Sequence, residues 1–223
     1  MPKFLAAGLA AFLMAGLVAY GFDRPSIEDM QRATVVVQIG DAGHGSGVII
    51  RGPGGGSFVL TAGHVARSAK DAGEFVVITR DGREHVGQIV WISESDDLAL
   101  ISTGDRLAGA VELACTNAAV GERVTVVGAP TPAADPLRWY VSTGNVGGYY
   151  TLDHYPFKHN QVMLFTAPIY SGTSGGPVFN DAGDVVGIAV AMATAPSADW
   201  RPVPMAGFYL ATSAEAVCAH FGG

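Results

Sequence analysis

The chain has 223 residues, 49% of them hydrophobic and 30 of them glycine, and its formal net charge is −7. That apolar content excludes a disordered chain, the glycines show no collagen period, and an acidic balance without any basic cluster excludes a general nucleic-acid binder, whose footprint is a basic face. The length suits one large or two small globular units.

The N-terminus stands apart in composition. Lys3 precedes FLAAGLAAFLMAGLVAYGF, 19 residues without a charge that end at Asp23-Arg24. A positive residue before an apolar run reads as an export signal, and Ala19-Tyr20-Gly21 supplies a small-x-small site for cleavage after Gly21. The same length reaches the range that spans a bilayer. A buried core helix would carry a polar face, which this run lacks. Residues 1–22 are therefore expected to be a signal peptide or an N-terminal membrane anchor, with membrane association through residues 4–22 in the second case. In both cases the remainder works outside the cytosol, whether secreted, periplasmic or held on the outer face of a membrane.

From Thr34 onward, short β-branched runs alternate with Gly, Pro, Asp and Asn. TVVVQIG, GSGVII, SFVLTAG, EFVVITR, HVGQIVWIS and DLALIST fill the first half; ERVTVVGAP, RWYVSTGNV, QVMLFTA, GPVFN, DVVGIAVAM and AGFYLAT fill the second. Runs of this length at near-regular spacing indicate a β-sandwich or barrel. TRDGRE at 79–84 and FNDAGDV at 179–185 carry turn chemistry between them. The expected fold is all-β, with two six-stranded antiparallel barrels over residues 33–114 and 118–223 and a polar linker near Leu113–Gly121. Helix signals are scarce. SIEDMQRA and TSAEAVCAHF are the two candidates, the latter with Thr212 or Ser213 as N-cap and Glu215 in its first turn.

Three stretches carry candidate chemistry. YSGTSGGPVFN places Ser174 among glycines just before a strand. A serine hydroxyl is a poor nucleophile without a base, and LTAGHVA offers His64 at the end of an apolar strand. Such a base needs a buried carboxylate to hold its tautomer. SESDDLALIST supplies Asp96 and Asp97, and alternation sets Asp97 with Ala99 and Ile101 on one face. Taken singly, the serine reads as a tight turn, the histidine as a structural residue and the acidic pair as a polar turn. The remaining histidines, His44, His85, His154, His159 and His220, have no matching partners by spacing and read as surface or loop residues. Cys115 and Cys218 lie far apart and outside any metal-ligand spacing, so no metal and no cofactor are expected. Spacing alone leaves them open between a disulfide and two buried thiols.

TAGHV, DDLALI and GTSGGP, in the order His, Asp, Ser, resemble the trypsin/chymotrypsin superfamily of serine proteases. Gaps of 33 and 77 residues, GSGVII at 45–50 and YVSTGNV at 140–146 are similar to its HtrA (DegP) branch. The resemblance covers residues 33–221 and implies a serine endopeptidase acting on proteins or peptides through an acyl-enzyme. It makes Ser174 the nucleophile, His64 the general acid and base, and Asp97 the residue that orients His64. The backbone N–H groups of Gly172 and Ser174 would form the oxyanion hole, with Gly172 leaving room for the substrate carbonyl. Some secreted trypsins join the regions of Cys115 and Cys218 by a disulfide, which favours that bond.

Departures from the family pattern carry expectations too. Digestive trypsins hold an Asp immediately before the serine for an activation ion pair; Thr173 cannot form one. The HtrA asparagine is also missing there. By analogy the specificity pocket would be lined by Pro168, Ile169, Val190, Ala191, Met192 and Gly207, none acidic, so a shallow apolar pocket for small or apolar side chains is expected. Val190–Met192 would pair with the substrate backbone, and the loop at 193–204, with Trp200 and Arg201, would rim the pocket or be an ordinary surface loop. Because the sequence ends just after the second barrel, an HtrA-like chain without a PDZ domain, and a monomer, is expected. Two rivals remain: a protease-fold binding protein whose chemistry is idle, and an esterase-like hydrolase using the same triad.

Overall fold

Thr34–Ile39 (β1) lies antiparallel to Gly43–Arg51 (β2), and β2 to Ser57–Ala62 (β3). These strands belong to a computed structural model that describes residues 24–221 apart from 42, 53–54, 74, 132–137, 155–156 and 197–201, and omits the side chains of 152–160 and 194–204. The first sheet is completed by Val76–Ile78 (β4), Glu84–Val86 (β5), Gln88–Ile92 (β6) and Leu98–Ser102 (β7), in the order β5-β4-β1-β2-β3-β7-β6. β1 is buried along almost its whole length, with Val35 and Val37 in one apolar cluster and Val36 in another. This is why its run reads as continuous Val rather than as an alternation.

The sheet has seven strands instead of the expected six because HVGQIVWIS divides at Gly87. Its N-terminal piece pairs with β4 and its C-terminal piece with β7. Phe75 packs where a side chain at Gly87 would sit, 2.2 Å from an ideal Cβ.

The second half forms a closed barrel of Arg123–Gly128 (β8), Tyr140–His154 (β9), Phe157–Phe165 (β10), Pro177–Phe179 (β11), Val185–Pro196 (β12) and Pro202–Ser213 (β13). Phe165 and Phe179 are its fully buried aromatic side chains. The apolar clusters run across both sheets. One joins Val35, Ile49 and Val65 to Val162, Val190 and Leu210; another joins Val48, Leu60 and Leu98 to Val127, Phe179 and Ile188. The two sheets therefore share a core, and residues at their junction are held from both sides.

Three helices complete the described fold. Ile27–Ala33 (α1) begins at a reciprocal capping box between Ser26 and Asp29. Ala214–Phe221 (α3) receives its cap from Ser213, which accepts the Ala216 N–H at 3.3 Å. Gly63–Ala72 (α2) was not expected: it follows β3 directly, and its N-cap, Ala62, has no side-chain cap. No described helix is long and apolar enough to cross a membrane; the expected signal or anchor at 1–22 lies outside the described residues.

Cys115 and Cys218 are joined by a disulfide across 103 residues of chain, fixing α3 to the segment between the sheets. Cross-linking across so long a loop removes much conformational freedom from the unfolded chain. Replacing both cysteines by serine is expected to lower unfolding free energy by about 2–5 kcal/mol, measured by guanidinium titration against the oxidised parent.

Candidate active site

Asp97 sits at the entrance to β7 with a left-handed backbone, φ 50°. Its side chain is 4% exposed, and three donors converge on it. The His64 backbone N–H donates to Oδ1 at 2.8 Å, the His64 ring Nδ1 lies 2.7 Å from Oδ2, and Arg67 Nη2 donates to Oδ1 at 2.7 Å. The Gly63 N–H donates to the Asp97 carbonyl at 2.7 Å. The first turn of α2 is thus capped by a residue from another strand, which explains a helix without a local start signal. Because a carboxylate only accepts, the short contact places a proton on Nδ1 and leaves Nε2 as the acceptor. The imidazole itself is 44% exposed, an accessible ring above a buried carboxylate.

Ser174 comes from the second sheet, in the turn before β11. Almost every peptide of that turn is anchored. The Tyr170 carbonyl accepts from Thr173 N–H at 2.9 Å, the Thr173 carbonyl from Gly176 N–H at 2.9 Å, and the Ser174 carbonyl from Ser46 N–H at 2.8 Å. Ser46, buried in β2, also donates its hydroxyl to the Gly172 carbonyl at 2.7 Å. Among the described residues the N–H groups of Gly172 and Ser174 donate to nothing. The Ser174 hydroxyl lies 3.4 Å from the Val190 carbonyl, and no hydrogen bond joins it to His64. Thr173, 1% exposed, accepts the Tyr170 N–H with its hydroxyl at 3.3 Å, so this buried position caps the turn instead of carrying a charge.

Both glycines flanking the serine are required by close backbone approach. Gly175 has φ +86°, and a Cβ there would lie 2.1 Å from the Ser46 carbonyl oxygen. Gly172 has φ +93°, and its Cβ would meet the Ala129 carbonyl at 2.4 Å and His44 Nε2 at 2.6 Å. The side of Gly172 on which a Cβ would stand is therefore filled by the protein itself, so only glycine fits there.

The profile of the trypsin-like peptidase domain matches residues 45–188. The chain belongs to the trypsin-like peptidase family. It is 32% identical over 154 residues to HhoA of Synechocystis sp., named as a serine protease, covering 68% of this chain and 37% of that protein. To the serine protease Do-like HtrA of Bacillus subtilis it is 28% identical over 152 residues, covering 66% of this chain and 33% of that one. The chain thus spans about a third of the length of these curated relatives. The solved HtrA-type protease AlgW with a tripeptide superposes with a TM-score of 0.67 at 23% identity, over 85% of this chain and 60% of AlgW.

The expected pocket residues separate into two groups. Ile169 and Val190 are 3% and 4% exposed, packed into apolar clusters. A bulge between Ala189 and Ala191 turns the Val190 side chain inward and leaves its carbonyl at the site. Met192, 48% exposed, stands opposite Tyr209 on β13, and Gly207 is exposed with open space around it. Pro168 contributes its carbonyl, which accepts the Ser142 hydroxyl at 2.7 Å. Sequence reasoning missed Tyr140 and Tyr209 beside these. Tyr170 meets Tyr140 edge-on at 6.3 Å, and burial, then the phenols of Tyr170 and Tyr140, push the Tyr209 phenol above its ordinary pKa. Trp200 and Arg201 lie outside the described residues.

Three of the five remaining histidines have partners that spacing could not reveal. His44 Nε2 lies 2.6 Å from the Ala129 carbonyl, His85 pairs with Asp105 at 2.7 Å, and His220 bonds the buried carboxylate of Asp96. Asp96 thus serves α3 while its neighbour Asp97 serves His64. The side chains of His154 and His159 are outside the described set. Among the described residues, no group of three His, Cys, Asp or Glu side chains could hold a metal ion.

Gly175→Ala tests the tightness of the serine turn. Left-handed backbone and overlap with the Ser46 carbonyl are expected to cost at least about 2 kcal/mol of stability, read as a lowered thermal midpoint. A midpoint equal to the parent's would contradict the geometry.

Proposed function

We propose that this chain is a serine endopeptidase of the HtrA-like kind, exported from the cytosol, with Ser174, His64 and Asp97 as its triad. The observation that carries the reading is the buried Asp97 carboxylate, which takes both the ring and the backbone N–H of His64 at 2.7 and 2.8 Å and frees Nε2 for a serine proton. In the first step Ser174 Oγ attacks the scissile carbonyl carbon as its proton passes to His64 Nε2. The carbonyl electron pair moves to oxygen, facing the undonated N–H groups of Gly172 and Ser174. Asp97 stabilises the imidazolium; collapse expels the amine, which takes the proton from His64 and leaves the acyl group on Ser174. Water then repeats the sequence, releasing the acid and restoring the hydroxyl.

Substrates of this reading are proteins or peptides. Beyond Ala191, β12 is paired only with β13 among the described residues, so its other edge can add an extended substrate as a strand. With Met192, Tyr209 and Gly207 beside it and no carboxylate among them, this edge favours small or apolar side chains before the scissile bond. Export is supported by the apolar run after Lys3 and by the Cys115–Cys218 disulfide.

One observation favours an idle protease fold, namely the Ser174 hydroxyl directed at Val190 and not at His64. Unfolded casein and a mixed peptide library, read by mass spectrometry, separate the two. The wild type is expected to cleave after small or apolar residues, and Ser174→Ala to lose about 10⁶ in kcat. Equal cleavage by both proteins, or none by either when folded, would contradict the proposal, and cleavage after Arg or Lys would overturn the pocket.

A further inference from the structure

The direction of the Gly172 N–H is set from outside its own turn. In a trans peptide the carbonyl and the following N–H point in opposite directions. Holding the Ser171 carbonyl therefore aims the Gly172 N–H. The group that holds it is the Thr131 N–H, donating at 2.9 Å. The other donor of the pair, Ser174 N–H, is aimed by the Thr173 carbonyl, which is bound within the turn by Gly176. One of the two donors is thus set locally, while the other depends on where residues 129–131 lie.

Two side chains of β2 hold that segment. Ser46 Oγ accepts the Ala129 N–H at 2.9 Å while donating to the Gly172 carbonyl. His44, two residues earlier and so on the same face of the strand, has Nε2 2.6 Å from the Ala129 carbonyl and 3.1 Å from the Thr131 hydroxyl. A carbonyl oxygen only accepts, so His44 Nε2 carries a proton and donates it. The ring also stands against Gly172, where an added Cβ would come within 2.6 Å of Nε2.

We propose that His44 is a positioning residue for the oxyanion hole. It holds the 129–131 segment in the place from which Thr131 aims the Gly172 N–H at the substrate oxygen. The inference rests on the serine endopeptidase reading. It also assigns to His44 a part that the triad does not supply, since among the described residues its ring bonds Ala129 and Thr131 and not His64 or Ser174. A misplaced donor costs the developing oxyanion a hydrogen bond that the ground-state carbonyl does not make, so the loss falls on kcat and spares KM.

The test uses the full chain, a casein-derived peptide that the wild type cleaves, and a fluorophosphonate that reacts with an activated serine. Two substitutions divide the roles of the ring. His44→Leu fills the space without a donor; His44→Gln restores an amide donor at similar reach. His44→Leu is expected to lose about 10–100-fold in kcat, short of the roughly 10²–10³ for deleting a donor outright, with KM within about 3-fold of wild type. Phosphonylation of Ser174 is expected to slow in parallel, and His44→Gln to recover kcat to within about 5-fold. Leu and Gln variants with equal kcat, or a Leu variant that changes KM alone, would overturn the inference. Because thermal midpoints of the two variants are compared directly, a donor effect is distinguished from a packing effect. A wild type that neither cleaves nor is phosphonylated would instead overturn the endopeptidase reading.

Discussion

The buried carboxylate of Asp97 is the constraint on which the rest of the site depends. A charge taken out of water costs several kcal/mol unless hydrogen bonds replace its hydration. Here the replacements are the His64 ring, the His64 backbone and Arg67, all within 2.8 Å. Each also performs a second task. The backbone bond starts α2, a helix otherwise lacking a cap; the ring bond selects the tautomer; and Arg67, one turn further along α2, ties that helix to the carboxylate. Helix, imidazole and strand entrance are consequently one unit, and the left-handed backbone of Asp97 is the local strain that this unit offsets.

The second sheet supplies its part through backbone, not side chains. Ser174 is carried by a turn whose peptides are pinned one by one, and the pins cross the junction between the sheets. Ser46 of the first sheet bonds both the Ser174 and the Gly172 carbonyls, and Gly175 lies so close to Ser46 that no side chain fits. Shared apolar clusters hold the two sheets against each other around these bonds. The geometry of the candidate site is a property of the interface, and each sheet alone holds only part of it.

Much of this could be read in the sequence. The β-branched runs and their glycine-rich breaks mark the strands, because strand propensity and turn chemistry are local. The histidine, aspartate and serine stretches each sit at a strand end, whereas the choice of Asp97 over Asp96 comes from the family resemblance, because the left-handed backbone of Asp97 breaks strand alternation there. What escaped was non-local. The cap of α2 lies 33 residues from His64, the partner of His44 lies 85 residues away and that of His220 124. The division of the 85–93 run at Gly87 depends on Phe75 packing over it. The inward turn of Val190 follows from a bulge that shifts the register of β12 by one residue, which strict alternation cannot anticipate.

The most direct measurement of the central claim is the rate at which a fluorophosphonate modifies Ser174 in the wild type and in Asp97→Asn, with the adduct mapped by mass spectrometry. An asparagine keeps the acceptor for the His64 backbone but reverses the ring's tautomer, so helix and fold are preserved while the base is lost. The expected result is a single adduct on Ser174 whose formation slows by about 10⁴-fold in the variant. Equal rates in the two proteins, or an adduct elsewhere, would contradict the account.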